Sequence, residues 1–208
     1  KMKFDYVIAG GGSAGCALAA RLAENSNISV CLIEAGGRGR ELFIKMPAGN
    51  GFVFGNPKLD WGYSTVPQKS LDNRSIYLAR GKALGGSSIV NGMMYMRGVP
   101  ADYDQWRQSG LSGWSYADLL PYFKRAEGAK HRDGPYHGTN GPLKIEESVN
   151  FGVIDKAFIK AAIAAGHTQL NDFNAYDRTG VGRSDSTVSR GVRQSSAIAY
   201  LKKGSKNL

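Results

Sequence analysis

The first 34 residues constrain the fold more than anything that follows. Phe4 to Ala9 is short and rich in β-forming residues, as a buried strand should be. Gly10-Gly11-Gly12-Ser13-Ala14-Gly15 comes next, and Cys16 to Ala23 carries the small and leucine residues of a packed helix. Asn25 to Asn27 break that helix, and Ile28 to Ile33 read as a second strand ending at Glu34. The pattern predicts one βαβ unit. Gly-x-Gly-x-x-Gly alone is a weak signal, but here Gly10, Gly12 and Gly15 fall between a strand and a helix, and an acid follows 19 residues after Gly15. In that context each glycine has its own task. Gly10 allows the tight turn, Gly12 lets backbone approach a pyrophosphate, and Gly15 lets the helix pack on the strand. The N–H groups of Ser13 and Ala14 then face the phosphates with the helix dipole behind them. Glu34 is placed for the ribose hydroxyls of an adenosine, and its charge disfavours a 2′-phosphate despite Arg38 and Arg40 nearby. The alternatives left are FAD, NAD, or a tight βα turn without ligand.

Composition narrows the class. Of 208 residues, 42% are apolar, which excludes global disorder. Gly plus Pro, 28 and 7 residues, stays below the roughly 25–30% that marks low complexity, so each glycine has to be read by position. Two cysteines, Cys16 and Cys31, are too few for a disulfide scaffold and form no zinc spacing, so free buried thiols in a reducing compartment are expected. The uncharged stretches Tyr6 to Ala20 and Ala83 to Met96 fall short of the roughly 18 residues of a membrane helix, which predicts a soluble protein. Lys1 and Lys3 precede an apolar run, but Asp5 and the glycine triplet interrupt it where a signal peptide needs its apolar centre. An intracellular location, cytoplasmic or other, is expected over secretion. The net charge of +10 comes from Lys and Arg spread along the chain with only short pairs such as Lys202-Lys203, which fits a solvated surface better than nucleic-acid binding. An acidic segment outside this chain would account for part of it.

A second glycine loop, Gly81 to Gly98, is neither an amphipathic helix nor an alternating strand. Its Gly85-Gly86-Ser87-Ser88 run offers several N–H groups and hydroxyls within a few residues, suited to an anion or a polar ring edge, or else to an ordinary buried loop. Together with the βαβ opening, the stretches Glu34-Ala35-Gly36, Asp60-Trp61-Gly62-Tyr63, Arg80-Gly81-Lys82, Leu84 to Ser88, Asn91, Met96-Arg97-Gly98 and Asp102 to Trp106 resemble the glucose-methanol-choline (GMC) flavoprotein oxidoreductases, in particular the choline-dehydrogenase-like and insect glucose-dehydrogenase-like members. The resemblance continues through Gly113 to Tyr116, Leu120 to Phe123, Tyr136-His137-Gly138, Gly141-Pro142-Leu143 and Ala199-Tyr200-Leu201. It spans essentially the whole chain.

The resemblance implies an α/β fold: an incomplete Rossmann-like FAD-binding domain with the start of a second, substrate-side α+β subdomain. Residues 1–130 are expected to hold the N-terminal part of the FAD domain, including the second loop at 80–98. Residues 131–208 are expected to begin the substrate side and return toward the FAD domain, with the C-terminal half of the family fold absent. The implied cofactor is FAD, with Gly10, Gly12, Ser13, Ala14 and Gly15 at the pyrophosphate and Glu34-Ala35 at the adenosine. Gly86, Ser87, Asn91, Gly92, Met93 and Met94 are the implied residues of the flavin and ribityl side. Covalent-flavin members carry a His just before the Asn; Val90 stands there, which implies non-covalent FAD. The implied activity is oxidation of an alcohol by hydride transfer to flavin N5, with oxygen or another acceptor taking the electrons. Family members with other chemistry, a hydroxynitrile lyase or a fatty acid photodecarboxylase, and a non-catalytic FAD-binding fragment are the alternatives. The family's catalytic pair lies in a C-terminal segment, so no catalytic residue is assigned here, and Asn207-Leu208 fall where another strand of the FAD domain would begin.

The remaining pattern is local. Ser115-Tyr116-Ala117-Asp118 predicts a capped helix start with Leu119, Leu120, Phe123 and Ala126 on one face, and Pro121 is expected to limit or kink its first turn. Ile154, Phe158, Ala161, Ala162 and Ala165 follow helical spacing with Gly166 as the stop. Lys130 to Gly141 reads as a polar loop. His131, His137 and His167 are expected in solvent or in structural hydrogen bonds rather than in catalysis.

Overall fold

The computed structural model describes residues 3–148 and 151–201; Lys1, Lys202-Lys203 and Asn207-Leu208 lie outside them. The chain forms two compact units, Lys1–Met93 with Arg190–Leu208, and Met94–Ser189. The 130/131 division drawn from the sequence does not coincide with either boundary.

The first unit is organised by the βαβ opening. Strand β1 (Tyr6–Ala9) and strand β2 (Val30–Ile33) pair in parallel from Tyr6↔Val30 to Ala9↔Ile33, and helix α1 (Ser13–Leu22) joins them. Ala19, Ala23 and Val30 are buried together, with Ile8, Leu22, Ile28 and Leu32 packed around them, so the small residues of the helix are what bring it close to the sheet. Gly15 is where that approach is tightest, because a Cβ there would lie 2.0 Å from the Gly10 carbonyl oxygen. A second apolar cluster joins Ile44 of the short helix α2 (Leu42–Lys45) to Val53, Leu59, Ala83, Ile89 and Val90. Strands β3 (Tyr63–Ser64) and β4 (Tyr77–Leu78) form an antiparallel hairpin, and Asp60 bridges Gly81 beside it. The turn Ala197–Leu201 returns to α1, where the Arg21 guanidinium sits 5.8 Å from the centre of the Tyr200 ring.

In the second unit, β5 (Met94–Tyr95) and β8 (Glu146–Glu147) flank β11 (Asp185–Ser186) in an antiparallel sheet. The short parallel pairs β6 (Glu127–Gly128) with β7 (Leu143–Lys144), and β9 (Gln169–Leu170) with β10 (Val181–Gly182), lie in the same unit. Helix α3 (Pro100–Gln108) meets helix α4 (Tyr116–Ala126) through Tyr103, whose ring lies 6.1 Å from that of Tyr116 and 5.4 Å from that of Phe123, while Trp106 of α3 packs edge to face on Tyr103 at 5.2 Å. The capping box forms as the sequence predicts: the Asp118 N–H donates to Ser115 Oγ, and the Ser115 N–H donates to Asp118 Oδ2. Pro121 does not limit the helix. The helix runs through it to Ala126, and the carbonyl left without its usual donor belongs to Ala117, an exposed residue.

Helix α5 (Val153–Ala164) ends at Gly166 with φ +93°. The Gly166 N–H donates to Ile163 O and the His167 N–H to Ala162 O, the paired closure that a left-handed glycine permits. Its apolar positions behave otherwise than periodicity suggests. Ile154 is 83% and Phe158 68% exposed, and no residue of α5 is buried against the described residues.

Candidate functional site

Gly10 to Gly15 and the part of the second loop from Gly81 to Met93 belong to the first unit and touch through backbone. The Gly85 N–H donates to Gly11 O at 2.7 Å, and a Cβ on Gly86, whose φ is +51°, would come within 2.6 Å of Gly12 Cα. Gly86 therefore has no room for a side chain, and its positive φ suits glycine as well. The residues after Gly86 turn as a 3-10 segment, Gly86–Ile89, and the Asn91 N–H closes it onto Ser87 O at 3.0 Å.

Around this contact lies a cavity of about 640 Å³, within the usual size range of small-molecule sites. One wall is Ala9, Gly10, Gly12, Ser13, Gly86 and Ser87; Ile33, Glu34 and Ala35 form the β2 end. Trp61, Tyr63, Arg80 and Gly81 form the other side. Gly10 turns the chain with φ +98°, and a Cβ at Gly12 would meet nothing within 4 Å, so that glycine leaves open space. No side chain caps α1, so the first N–H groups of the helix, at Ser13 and Ala14, keep their hydrogen-bonding capacity for an anion.

Glu34 is half-buried and firmly held. Its Oε2 accepts from the Gly11 N–H at 2.8 Å and its Oε1 from the Gly36 N–H at 2.8 Å. Each carboxylate oxygen retains further acceptor capacity toward the cavity, as two ribose hydroxyls require. The opposite wall is anchored by Asp60, 3% exposed, which accepts from the N–H groups of Gly55, Gly62 and Arg80 and from the Tyr77 hydroxyl. Burial opposes the Asp60 charge, but these donors together outweigh it and hold the carboxyl down at about 2. Asp60 thereby fixes the turn that carries Trp61 and Tyr63, whose rings stack at 5.9 Å, and Lys82 lies 4.9 Å over Trp61.

Of the residues expected at a cofactor, Gly10, Gly12, Ser13, Glu34, Ala35, Gly86 and Ser87 come together around this cavity. Ala14 sits behind them in the first turn of α1, and Gly15 packs against Gly10. Asn91, Gly92, Met93 and Met94 are not among the lining residues. Asn91 is held by Arg193, Met93 adopts φ +62°, and Met94 pairs with Ser186 in β5 of the second unit. Trp61, Tyr63, Arg80 and Gly81 also line it, and the one local signal for them in the sequence is an aromatic pair around Gly62 beside an acid. Val90 is 5% exposed within the apolar cluster. It presents no nucleophile for a covalent tether.

The histidines lie in the second unit and outside this cavity. His137, expected in a polar loop, is buried between two acids: Nδ1 lies 3.0 Å from Glu127 Oε1 and Nε2 2.7 Å from Asp172 Oδ2. Burial alone would lower its pKa, but the hydrogen bonds that both carboxylates accept from its ring prevail and raise it. Arg97 joins the same group, 2.7 Å from Glu127 Oε2. His131 Nε2 lies 2.9 Å from Asp185 Oδ1, and His167 is exposed. Sequence pattern gives no sign of the His137 group because its members are spread from 97 to 172.

A parallel βαβ unit, an uncapped helix start over open space and a carboxylate at the tip of the second strand are the arrangement of a Rossmann-type α/β fold. Comparison with known proteins carries this further: residues 4–207 match the model of the GMC oxidoreductase N-terminal domain, and the chain belongs to that family. It is 42% identical over 205 residues to an oxygen-dependent choline dehydrogenase of Photobacterium profundum, covering 98% of this chain and 36% of that protein. A second oxygen-dependent choline dehydrogenase, from Sinorhizobium fredii, is 44% identical over 201 residues, 97% of this chain and 37% of its own length. The fold is also that of the pyridoxine 4-oxidase from Mesorbium loti, with TM-score 0.93 and 37% identity over 99% of this chain and 41% of the other. An FAD-dependent oxidoreductase from Chaetomium thermophilum matches with TM-score 0.87 and 29% identity, covering 99% of this chain and 37% of that one. The chain thus spans little more than a third of the length of these curated relatives. No helix among the described residues is long and apolar enough to cross a membrane.

Proposed function

We propose that this chain is the nucleotide-binding part of an FAD-dependent oxidoreductase acting on an alcohol, and that it holds FAD without a covalent link. The observation that carries the reading is the cavity where both glycine loops meet Glu34. Its parts suit the cofactor: donors and open backbone at Gly12, Ser13 and Ala14 for the pyrophosphate, and a fixed carboxylate at Glu34 for the adenosine ribose. Bound there, FAD supplies the acceptor for a carbinol hydride, and oxygen or another acceptor takes the electrons onward. The contribution of this chain is to bind and orient. Trp61 and Tyr63 cover one side of the cavity, and Asp60 keeps them in place.

The remaining part of the site, including the base that removes the hydroxyl proton, is assigned to a further segment of the same enzyme. Three features support this. The relatives are nearly three times as long as the stretch they share with this chain. On the β1–β2 sheet, Tyr6, Val7 and Ile33 are 46%, 61% and 54% exposed, and β1 pairs only with β2 among the described residues. Such an apolar two-stranded parallel sheet needs more protein over it. Finally, His131 and His137 are engaged by carboxylates in the second unit.

Purification of the natural polypeptide that carries this chain tests the reading. Flavin absorbance that passes into the supernatant on acid precipitation supports it. A yellow pellet overturns the non-covalent assignment, and a colourless protein that binds NAD overturns the cofactor.

A further inference from the structure

Arg193 is among the most deeply buried side chains in the molecule, 1% exposed, and no ion pair among the described residues includes it. Burial pushes its pKa down. An unpaired guanidinium inside a protein is costly, and it is retained where its donors do something that a neutral group cannot. Here every partner is a neutral oxygen. Nε donates to Ile44 O at 3.1 Å, Nη2 to Asn50 Oδ1, and Nη1 to Asn91 O at 2.7 Å and Asn91 Oδ1 at 2.9 Å, with Ser88 O at 3.5 Å.

The bond to Asn91 Oδ1 has chemical direction. A primary amide can turn over, and a hydroxyl or water beside it accepts either end. A guanidinium only donates, so it accepts only the oxygen end. The Met93 N–H donates to the same Oδ1 at 3.2 Å and is likewise unable to accept. A turned amide would set its NH2 group against two donors and lose both bonds. Asn91 Oδ1 is therefore held inward, while Nδ2, with two N–H donors and no partner among the described residues, remains on an exposed side chain. Asn91 closes the turn whose first residues, Gly86 and Ser87, line the cavity.

We infer that Arg193 is a positioning residue: it locks the Asn91 amide with Nδ2 outward, so that the second glycine loop offers a hydrogen-bond donor to an acceptor atom of the cofactor, a carbonyl oxygen or ring nitrogen of the flavin. This rests on the FAD reading above. It adds a polarity to that site: this end of the loop takes acceptors and repels donors.

Asn91→Asp in the natural polypeptide separates this role from a merely structural one. The substitution keeps both oxygens for Arg193 and Met93, gives Arg193 the counter-charge it lacks, and removes only the outward donors. The cofactor-free variant should melt no lower than the parent, yet bind FAD more weakly by about tenfold or more and with shifted flavin absorbance, since a carboxylate oxygen replaces the donor. Arg193→Lys is the second arm. One ammonium cannot reach Ile44, Asn50 and Asn91 together, so the amide is released and FAD binding weakens in the same direction with a changed flavin spectrum. Parent-like dissociation constants and spectra in both variants overturn the proposal alone. A parent protein that takes up no FAD overturns the cofactor reading and this proposal with it.

Discussion

Gly12 and Gly15 sit three residues apart in one turn, yet alanine at the two positions should fail for different reasons. A Cβ at Gly15 would lie 2.0 Å from Gly10 O, 1.0 Å inside the 3.0 Å below which real Cβ atoms essentially never approach other atoms, and the obstacle is backbone. Relief requires α1 and the glycine turn to separate by about that distance. Overpacking of this kind costs about 1–3 kcal/mol, toward the upper end where backbone must move, and Ala in place of a helical Gly returns about 1 kcal/mol. The cofactor-free Gly15→Ala protein should lose about 2 kcal/mol, and a helix start moved by about 1 Å no longer meets phosphate oxygens at hydrogen-bonding distance. Gly12 is the reverse. Its φ of −72° suits alanine and nothing lies within 4 Å of the added Cβ, so the protein should lose less than about 1 kcal/mol, the cost of Ala for Gly at a helix N-cap. That Cβ occupies the space assigned to the pyrophosphate, and FAD affinity should fall by about tenfold or more. Urea unfolding of both cofactor-free variants, followed by FAD titration, reads the two quantities separately. Parent-like FAD binding in Gly12→Ala, or parent-like stability in Gly15→Ala, refutes the assignment of roles.

Glu34→Ala leaves the Gly11 and Gly36 N–H groups without acceptor and removes the ribose partner, so urea titration should show a loss of about 1–3 kcal/mol and FAD titration a drop of roughly one to two orders of magnitude. The His137 group gives stability a signed pH dependence. Because the folded-state pKa of His137 is raised above 6.5, its contribution is complete below that value and is lost as pH rises through the folded pKa, whereas Asp172, lowered from 3.8, contributes above that value and loses its contribution as pH falls through its folded pKa. Urea midpoints across pH should fall on the alkaline side in the parent and not in His137→Gln; equal alkaline loss in both would place the titrating group elsewhere. Replacing His131, His137 and His167 together in the natural polypeptide should leave most alcohol turnover in whatever fraction folds and carries flavin, while the 208-residue chain alone should show none. A folded, flavin-loaded but inactive triple variant would put the catalytic base in this chain.

The half of the site built from local sequence was legible, because Gly10 to Gly15 and Glu34 act through backbone geometry and a strand tip within one βαβ unit. The second loop was visible as glycine-rich but not as a partner of the first, since a contact such as Gly86 against Gly12 leaves no periodic trace. The wall of Trp61, Tyr63 and Arg80 depends on Asp60 collecting donors from Gly55 to Arg80, and the role of Arg193 on acceptors from Ile44 to Asn91; neither has a local pattern. Helix α5 shows the opposite limit. Its periodicity specifies a helix, but periodicity does not say whether this chain covers Ile154 and Phe158, which it leaves exposed. Pro121 shows that a proline inside a helix is tolerated where the carbonyl it leaves free is at the surface.

The most direct test of the central claim is an equilibrium titration of FAD into the cofactor-stripped natural polypeptide, with NAD offered in competition and the parent compared with Gly12→Ala. The account predicts saturable uptake of about one FAD per chain, recovery of free flavin after acid precipitation, no displacement by NAD, and weakened uptake in the variant. Displacement by NAD, or equal FAD uptake when Gly12 carries a methyl group, would contradict it.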